Sequence, residues 1–224
     1  MRLKFAIIVL TLSVGVGSYF LYSFLFQPPK SIDVVNTVIA DKLLGWKIPN
    51  TMLPDVGSIP SKLAYSAIRP KSDAPTGLPV QLKISTIGVN SQIEDAFITP
   101  EGRMDVPAGS KNVAWFALGP KPGAIGSAVI GGHFGITNGV PFVFYNLDKL
   151  KAGDHVSVVN DKGITLTFIV RSTKLFDRSA DAESVFASSD GLAHLNLVTC
   201  EGAWNEASGN YPKRLVVFTD LIAT

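Results

Sequence analysis

The sequence predicts a mostly β domain, a closed barrel of about eight short strands with few short helices, preceded by a transmembrane helix and a stalk. Three observations carry this. From Leu78 onward, short β-prone runs alternate with turns rich in glycine, proline and asparagine. Few stretches there have helical periodicity. Ahead of them an uncharged run from Phe5 to Phe26 opens the chain.

That opening run sets the compartment. Its 22 residues would span about 33 Å as a helix, enough for a hydrocarbon core of about 30 Å. Arg2 and Lys4 before it favour a cytoplasmic end at residues 1–4, a span at 5–26 and an extracytoplasmic bulk. Tyr19, Tyr22 and Phe24 suit the outer interface. A cleaved signal peptide, cut near Gly15, Gly17 and Ser18, is the competing reading, but apolar residues continue to Phe26 and signal cores are shorter. Either way the domain is exported.

Residues 27–77 read as a Pro-rich stalk or appendage. Pro28-Pro29 stops the helix, and Pro49, Pro54, Pro60, Pro70 and Pro75 prevent regular structure. Asp33 to Leu44 is a candidate amphipathic helix, with Gly45 just past its end.

The domain proper is expected at residues 78–224. Val80, Leu82 and Ile84 alternate on one face of a first strand. Val89 to Ile98 follows Gly88, and turns at Gly102 and Pro107-Ala108-Gly109 precede Val113 to Phe116. Ser127 to Gly132 is a fully apolar strand. Phe142 to Leu150 is the one compact helical candidate, and Ala182 to Phe186 reads as a helical turn. Val156 to Val159 and Ile164 to Val170 form a hairpin around Asn160-Asp161-Lys162-Gly163. Leu192 to Cys200 and Leu215 to Leu221 complete the set.

Composition narrows the function. Hydrophobic residues make up 46% and charged residues 17%, which suits a packed globule with an apolar segment and excludes a disordered chain. The net charge of +2, with no basic block beyond the first residues, does not suggest a nucleic-acid partner. A single cysteine excludes an intramolecular disulfide and any multi-cysteine metal site. No acidic cluster marks a metal site, and no cofactor is expected.

That cysteine, Cys200, closes an apolar run just before Glu201-Gly202, so a strand ending there would hold a thiol at a rim, open to a cleft. A thiol attacks as its thiolate and needs a basic or cationic neighbour. His133, which closes the Ser127–Gly132 run, could take and return the proton. Arg214, which opens the last run, could hold an oxyanion with its fixed fork of donors. Each has a plainer reading: a buried small hydrophobe for Cys200, a surface-loop residue for His133, a strand-edge charge for Arg214. His155 sits in a turn beside Asp154. His194 lies six residues before the thiol on the same run, about 20 Å away if extended.

Gly131-Gly132-His133-Phe134, Leu197-Val198-Thr199-Cys200 and Lys213-Arg214-Leu215-Val216-Val217, in this order, resemble the sortase transpeptidases. Leu82-Lys83-Ile84-Ser85-Thr86-Ile87-Gly88-Val89, Pro141-Phe142-Val143-Phe144-Tyr145-Asn146-Leu147 and Leu150-Lys151-Ala152-Gly153-Asp154 extend the resemblance from about Leu78 to Leu221. Gly131 stands where the family commonly has alanine. The stretch from Glu201 to Pro212, with Trp204, Asn205, Gly209 and Tyr211, is similar to less characterised classes.

The resemblance implies an eight-stranded sortase-type barrel. It implies Cys200 as nucleophile in a thiolate–imidazolium pair, His133 as acid and base, Arg214 as stabiliser, and Thr199 as a neighbour that backs substrate or oxyanion. It further implies cleavage of a sorting signal like Leu-Pro-x-Thr-Gly on a protein substrate, through a thioester. The acyl group would pass to an amine of the cell wall or of a pilin. The enzyme would be a single-pass protein of the cell membrane. The rivals are a cysteine endopeptidase of the same fold and a non-catalytic anchored barrel that binds a wall component. A transpeptidase that cross-links peptidoglycan would carry a Ser-x-Gly-Cys kind of segment, which Val198-Thr199-Cys200-Glu201 does not supply.

Overall fold

The computed structural model describes residues 77–222. The expected cytoplasmic end, span, stalk and Asp33–Leu44 helix lie outside the described residues, apart from Gly77. Among the described residues, no helix is long and apolar enough to cross a membrane.

Ten strands follow in order: β1 (Pro79–Ile84), β2 (Val89–Ala96), β3 (Val113–Phe116), β4 (Gly126–Gly132), β5 (Ile136–Thr137), β6 (Val140–Pro141), β7 (His155–Asn160), β8 (Thr165–Asp177), β9 (Ala193–Glu201) and β10 (Lys213–Leu221). Eight of them close a barrel in the order β1-β2-β3-β4-β9-β10-β8-β7, and β5 and β6 pair apart. The β2–β3 and β4–β9 pairings are parallel and the other barrel pairings antiparallel. Closure leaves no barrel edge for another chain to extend.

Two apolar layers explain the strand patterns. The interior takes a side chain from each of the eight barrel strands, including Leu82, Ile84, Val89, Val113, Ile130, Val158, Phe168, Leu197 and Val217. A second layer covers the outside of β3, β4, β9 and β10, where Phe116, Val129, Val198 and Val216 meet Val185 and Phe186. The latter two belong to α1 (Glu183–Phe186). Phe116 and Phe186 meet edge to face at 5.4 Å. Asn196 Nδ2 donates to the Val185 carbonyl at 2.7 Å, which ties α1 to β9. Strands buried on both faces need continuous apolar runs, which is why β4 and β9 do not alternate in sequence.

Three expectations are corrected. Val80 does not join Leu82 and Ile84: it is exposed, because the β1–β7 register shifts between Pro79 and Gln81 and turns it outward. Phe142 to Leu150 is not an α-helix. It is a chain of turns with i to i+3 bonds, such as Tyr145 N–H to the Phe142 carbonyl, ending in a 3-10 turn at Leu147–Lys149. Phe144 is fully buried in the barrel interior, so packing outweighs helical propensity there. Finally, β8 runs on past Val170 to Asp177, with a register shift opposite Phe218/Thr219. The β7–β8 hairpin is as expected: Asn160 Oδ1 accepts from the N–H groups of Lys162 and Ile164, and Gly163 supplies a φ of 76°.

Candidate active site

Strand register pairs two of the three sequence-nominated residues. Pairing of β9 with β10 sets Cys200 opposite Arg214 and Val198 opposite Val216. On the other flank β4 runs parallel to β9, with Gly131 opposite Val198. The third, His133, follows directly on the end of β4 at Gly132. Adjacent strands lie about 4.8 Å apart, so residues level with one another project side by side. Thr199 Oγ1 donates to the Gly132 carbonyl at 2.7 Å, which fastens the two strand ends together just before the thiol and the imidazole. Since Val198 and Val216 face the outer layer, alternation puts Cys200 and Arg214 on the barrel's outer face at one end.

Gly132 is required by the interior. A Cβ there would stand 2.5 Å from Phe144 Cδ2. The Phe144 N–H in turn donates to the His133 carbonyl at 3.0 Å. A small residue and a buried ring therefore fix where the β4 strand ends and where His133 begins.

Arg214 is a buried cation, not an edge charge, at 0% exposure. Its guanidinium donates to the carbonyls of Tyr211 and Lys213 at 3.1 and 2.8 Å, and to Asn210 Oδ1 at 3.2 Å. The segment between β9 and β10 thus wraps the guanidinium and orients it. Tyr211 joins an aromatic group: it meets Phe134 and Trp204 edge to face at 5.4 and 5.1 Å, and Phe134 stacks on Tyr145 at 5.8 Å.

The thiol is less open than the sequence suggested. Cys200 is 1% exposed, although it belongs to neither apolar layer. The β9–β10 connection returns beside it, with Tyr211 close enough to feel a thiolate's charge. Burial pushes the Cys200 thiol up to about 11, opposed by the cations Arg214 and Arg178, with Glu201 adding to the rise. Burial likewise pulls His133 down, opposed by its bond to Pro107 and by the charge of Glu94. Both shifts favour the uncharged forms and so run against the ion pair that the resemblance implied. For Arg214, burial lowers the guanidinium, the Cys200 thiolate opposes this, and Arg178 and Arg103 lower it further.

The rival histidines fall elsewhere. His155 is exposed. His194 is buried toward the other end of β9, with Nδ1 at 2.7 Å from Asp220 Oδ1 and Nε2 at 2.9 Å from Asp190 Oδ2. Among the described residues, no group of three or more His, Cys, Asp or Glu side chains could hold a metal ion. The sequence reading missed Glu94, Pro107, Asn210 and Arg178. Pro107 bonds His133, Glu94 bonds the next residue Ala108, Asn210 bonds Arg214, and the charge of Arg178 reaches Cys200; of these the sequence shows only the turn at Pro107-Ala108-Gly109.

The site can be compared with known proteins. The Sortase domain family model matches residues 82–222. Among solved structures, sortase C-1 from Actinomyces oris aligns at 20% identity, over 96% of this chain and 99% of that one, with a TM-score of 0.57. Sortase C1 from Streptococcus agalactiae aligns at 19% identity, over 74% and 78%, with a TM-score of 0.53. A lid mutant of sortase A from Corynebacterium diphtheriae aligns at 21% identity, over 72% and 79%, with a TM-score of 0.52. Such identities speak for the fold. No curated protein sequence matches the chain. The family match spans well over half of the 224 residues, and the closed eight-stranded barrel agrees with it. The chain belongs to the sortase family of cysteine transpeptidases.

Proposed function

We propose that this protein cleaves a sorting signal of the Leu-Pro-x-Thr-Gly kind and transfers the acyl group to an amine of the cell wall or of a pilin. The pairing of Cys200 with Arg214, with His133 directly after the end of the strand that flanks β9, supports this reading. Cys200 Sγ attacks the threonine carbonyl while the thiol proton passes to His133. Arg214 stabilises the oxyanion that forms. The tetrahedral species collapses, His133 returns the proton to the departing glycine amine, and a thioester remains on Cys200. An acceptor amine then attacks the thioester, gives up its proton through His133 and releases the thiol. Thr199 contributes by holding the two strand ends in register.

Burial biases both reactive groups toward their neutral forms. A neutral resting pair asks little solvation of a covered site, and the ion pair need form only as substrate displaces water. Anchoring at 5–26 with an extracytoplasmic domain at 78–224 is part of this reading. It is supported by Arg2, Lys4 and the apolar run that follows them.

The same burial of Cys200 favours one rival, an anchored barrel that binds the wall without catalysis. A single experiment separates the readings. The full chain in detergent is incubated with a Leu-Pro-x-Thr-Gly peptide library and hydroxylamine, and products are weighed by mass spectrometry. A threonine hydroxamate that disappears in Cys200→Ala is expected. Only the free acid would indicate the endopeptidase, and no cleavage of any peptide would indicate the non-catalytic barrel.

A further inference from the structure

Glu94, on β2, lies far from the thiol in sequence but joins its surroundings through one peptide group. The Pro107 carbonyl is 2.9 Å from His133 Nε2. A carbonyl only accepts, so Nε2 must carry the hydrogen, and in the neutral ring Nδ1 is the atom that can take a proton. The N–H of that same peptide group, on Ala108, donates to Glu94 Oε2 at 2.9 Å. The other carboxylate oxygen, Oε1, accepts from Asn112 Nδ2 at 2.6 Å. The carboxylate thus grips both ends of the Pro107–Asn112 turn.

We propose that Glu94 is a positioning residue for His133, acting through the Pro107–Ala108 peptide to hold the imidazole as its Nε2–H tautomer and to raise the basicity of Nδ1. The physical reason is the peptide's conjugation. Its N–H and C=O lie on opposite edges of one plane. A carboxylate drawing on the N–H pushes electron density onto the carbonyl oxygen, and hydrogen bonds in such a chain strengthen one another. The oxygen then holds the ring N–H more firmly, as a carboxylate bonded directly to a histidine would. The geometry suits an enzyme that buries its histidine: a full negative charge stays one peptide removed from the site, yet its influence reaches the ring. The bond from His133 is buried, the Asn112 bond to the carboxylate is partly buried, and the Ala108 bond to it is exposed.

This deepens the reading of His133 as proton carrier and rests on it. Other anchors of the same turn let the proposal be separated from mere stapling. Ser91 Oγ donates to the Lys111 carbonyl at 2.8 Å, and the Val143 N–H donates to the Ser110 carbonyl at 2.9 Å. Neither touches the Pro107–Ala108 peptide.

The test is 15N NMR of the histidine rings in the full chain in detergent, with the His133 signals assigned by His133→Gln. The neutral His133 ring is expected as a single Nε2–H tautomer. Glu94→Gln, which can keep a hydrogen bond to Ala108 but removes the charge, should lower the His133 titration midpoint and admit the second tautomer. Asn112→Ala, which frees one end of the turn but spares the peptide bridge, should leave both unchanged. Unaltered ring signals and midpoint in Glu94→Gln would overturn the proposal, and so would the same change in Asn112→Ala, which would mean stapling alone. The spectra need no substrate, so a chain inert toward every sorting peptide would defeat the proposed reaction without touching this result.

Discussion

At the scale of single residues, desolvation governs the chemistry. Cys200 and His133 are both driven toward neutrality by burial, against the pull of Arg214 and Arg178 on one and of Glu94 on the other. The sign of the consequence follows directly. The folded state binds the thiol proton more tightly than an unfolded chain with its ordinary value of 9.0. Raising the pH above that value therefore erodes stability and at the same time exposes more thiolate. Alkylation of Cys200 by iodoacetamide in the substrate-free protein is expected to keep climbing beyond pH 9, whereas the urea-unfolded chain levels off earlier. A plateau already reached at neutral pH would mean a standing ion pair. The strand-end positions of Cys200, His133 and Arg214 were legible in the sequence, because each closes or opens an apolar run beside a strand breaker. The burial of Cys200 was not, because it depends on a connection that returns over the strand end. Glu94 was illegible for the same kind of reason, since its link to His133 runs through a turn distant from both in sequence.

At the scale of elements, β4 and its successor segment do most of the positioning. Gly132 ends the strand against the Phe144 ring, and Phe144 returns a hydrogen bond to the very next residue, His133. Gly132→Ala would drive a Cβ to 2.5 Å from a ring atom in the sealed barrel interior. A loss of about 1–3 kcal/mol in unfolding free energy is expected from such overpacking, with turnover falling further than stability because the imidazole moves with the strand end. Denaturant unfolding and peptide turnover measured side by side check this, and wild-type values for both would show that Phe144 gives way freely. The same segment shows why sequence pattern misled. Phe142 to Leu150 has apolar residues at helical spacing, but Phe144 and Leu147 are claimed by the interior through successive tight turns. The far half of β8 escaped because every residue from Arg171 to Asp177 except Phe176 is exposed and most are polar. β5 and β6, two residues each, are too short to leave any period.

At the scale of the whole molecule, barrel closure draws together stretches that are distant in sequence. Cys200 and Arg214 pair across β9 and β10, and the parallel β4–β9 pairing sets the strand that ends just before His133 alongside them. The number of barrel strands and the barrel class were readable from turn spacing. Their order around the barrel was not, since pairings such as β4 with β9 carry no local signal. The two-layered burial of β9 also fixes the rigid setting of the thiol: interior residues lock one face and α1 the other. Such a frame suits a nucleophile that must wait, covered, for a peptide and then for an amine.

The most direct measurement of the central claim is the mass of the intact full chain after brief mixing with the cleavable sorting peptide in the absence of any added amine. An adduct equal to the peptide portion through threonine, mapped to Cys200 by proteolysis and released by hydroxylamine, is the expected result. Cleavage with no adduct on Cys200, or cleavage that survives Cys200→Ala, would contradict the account.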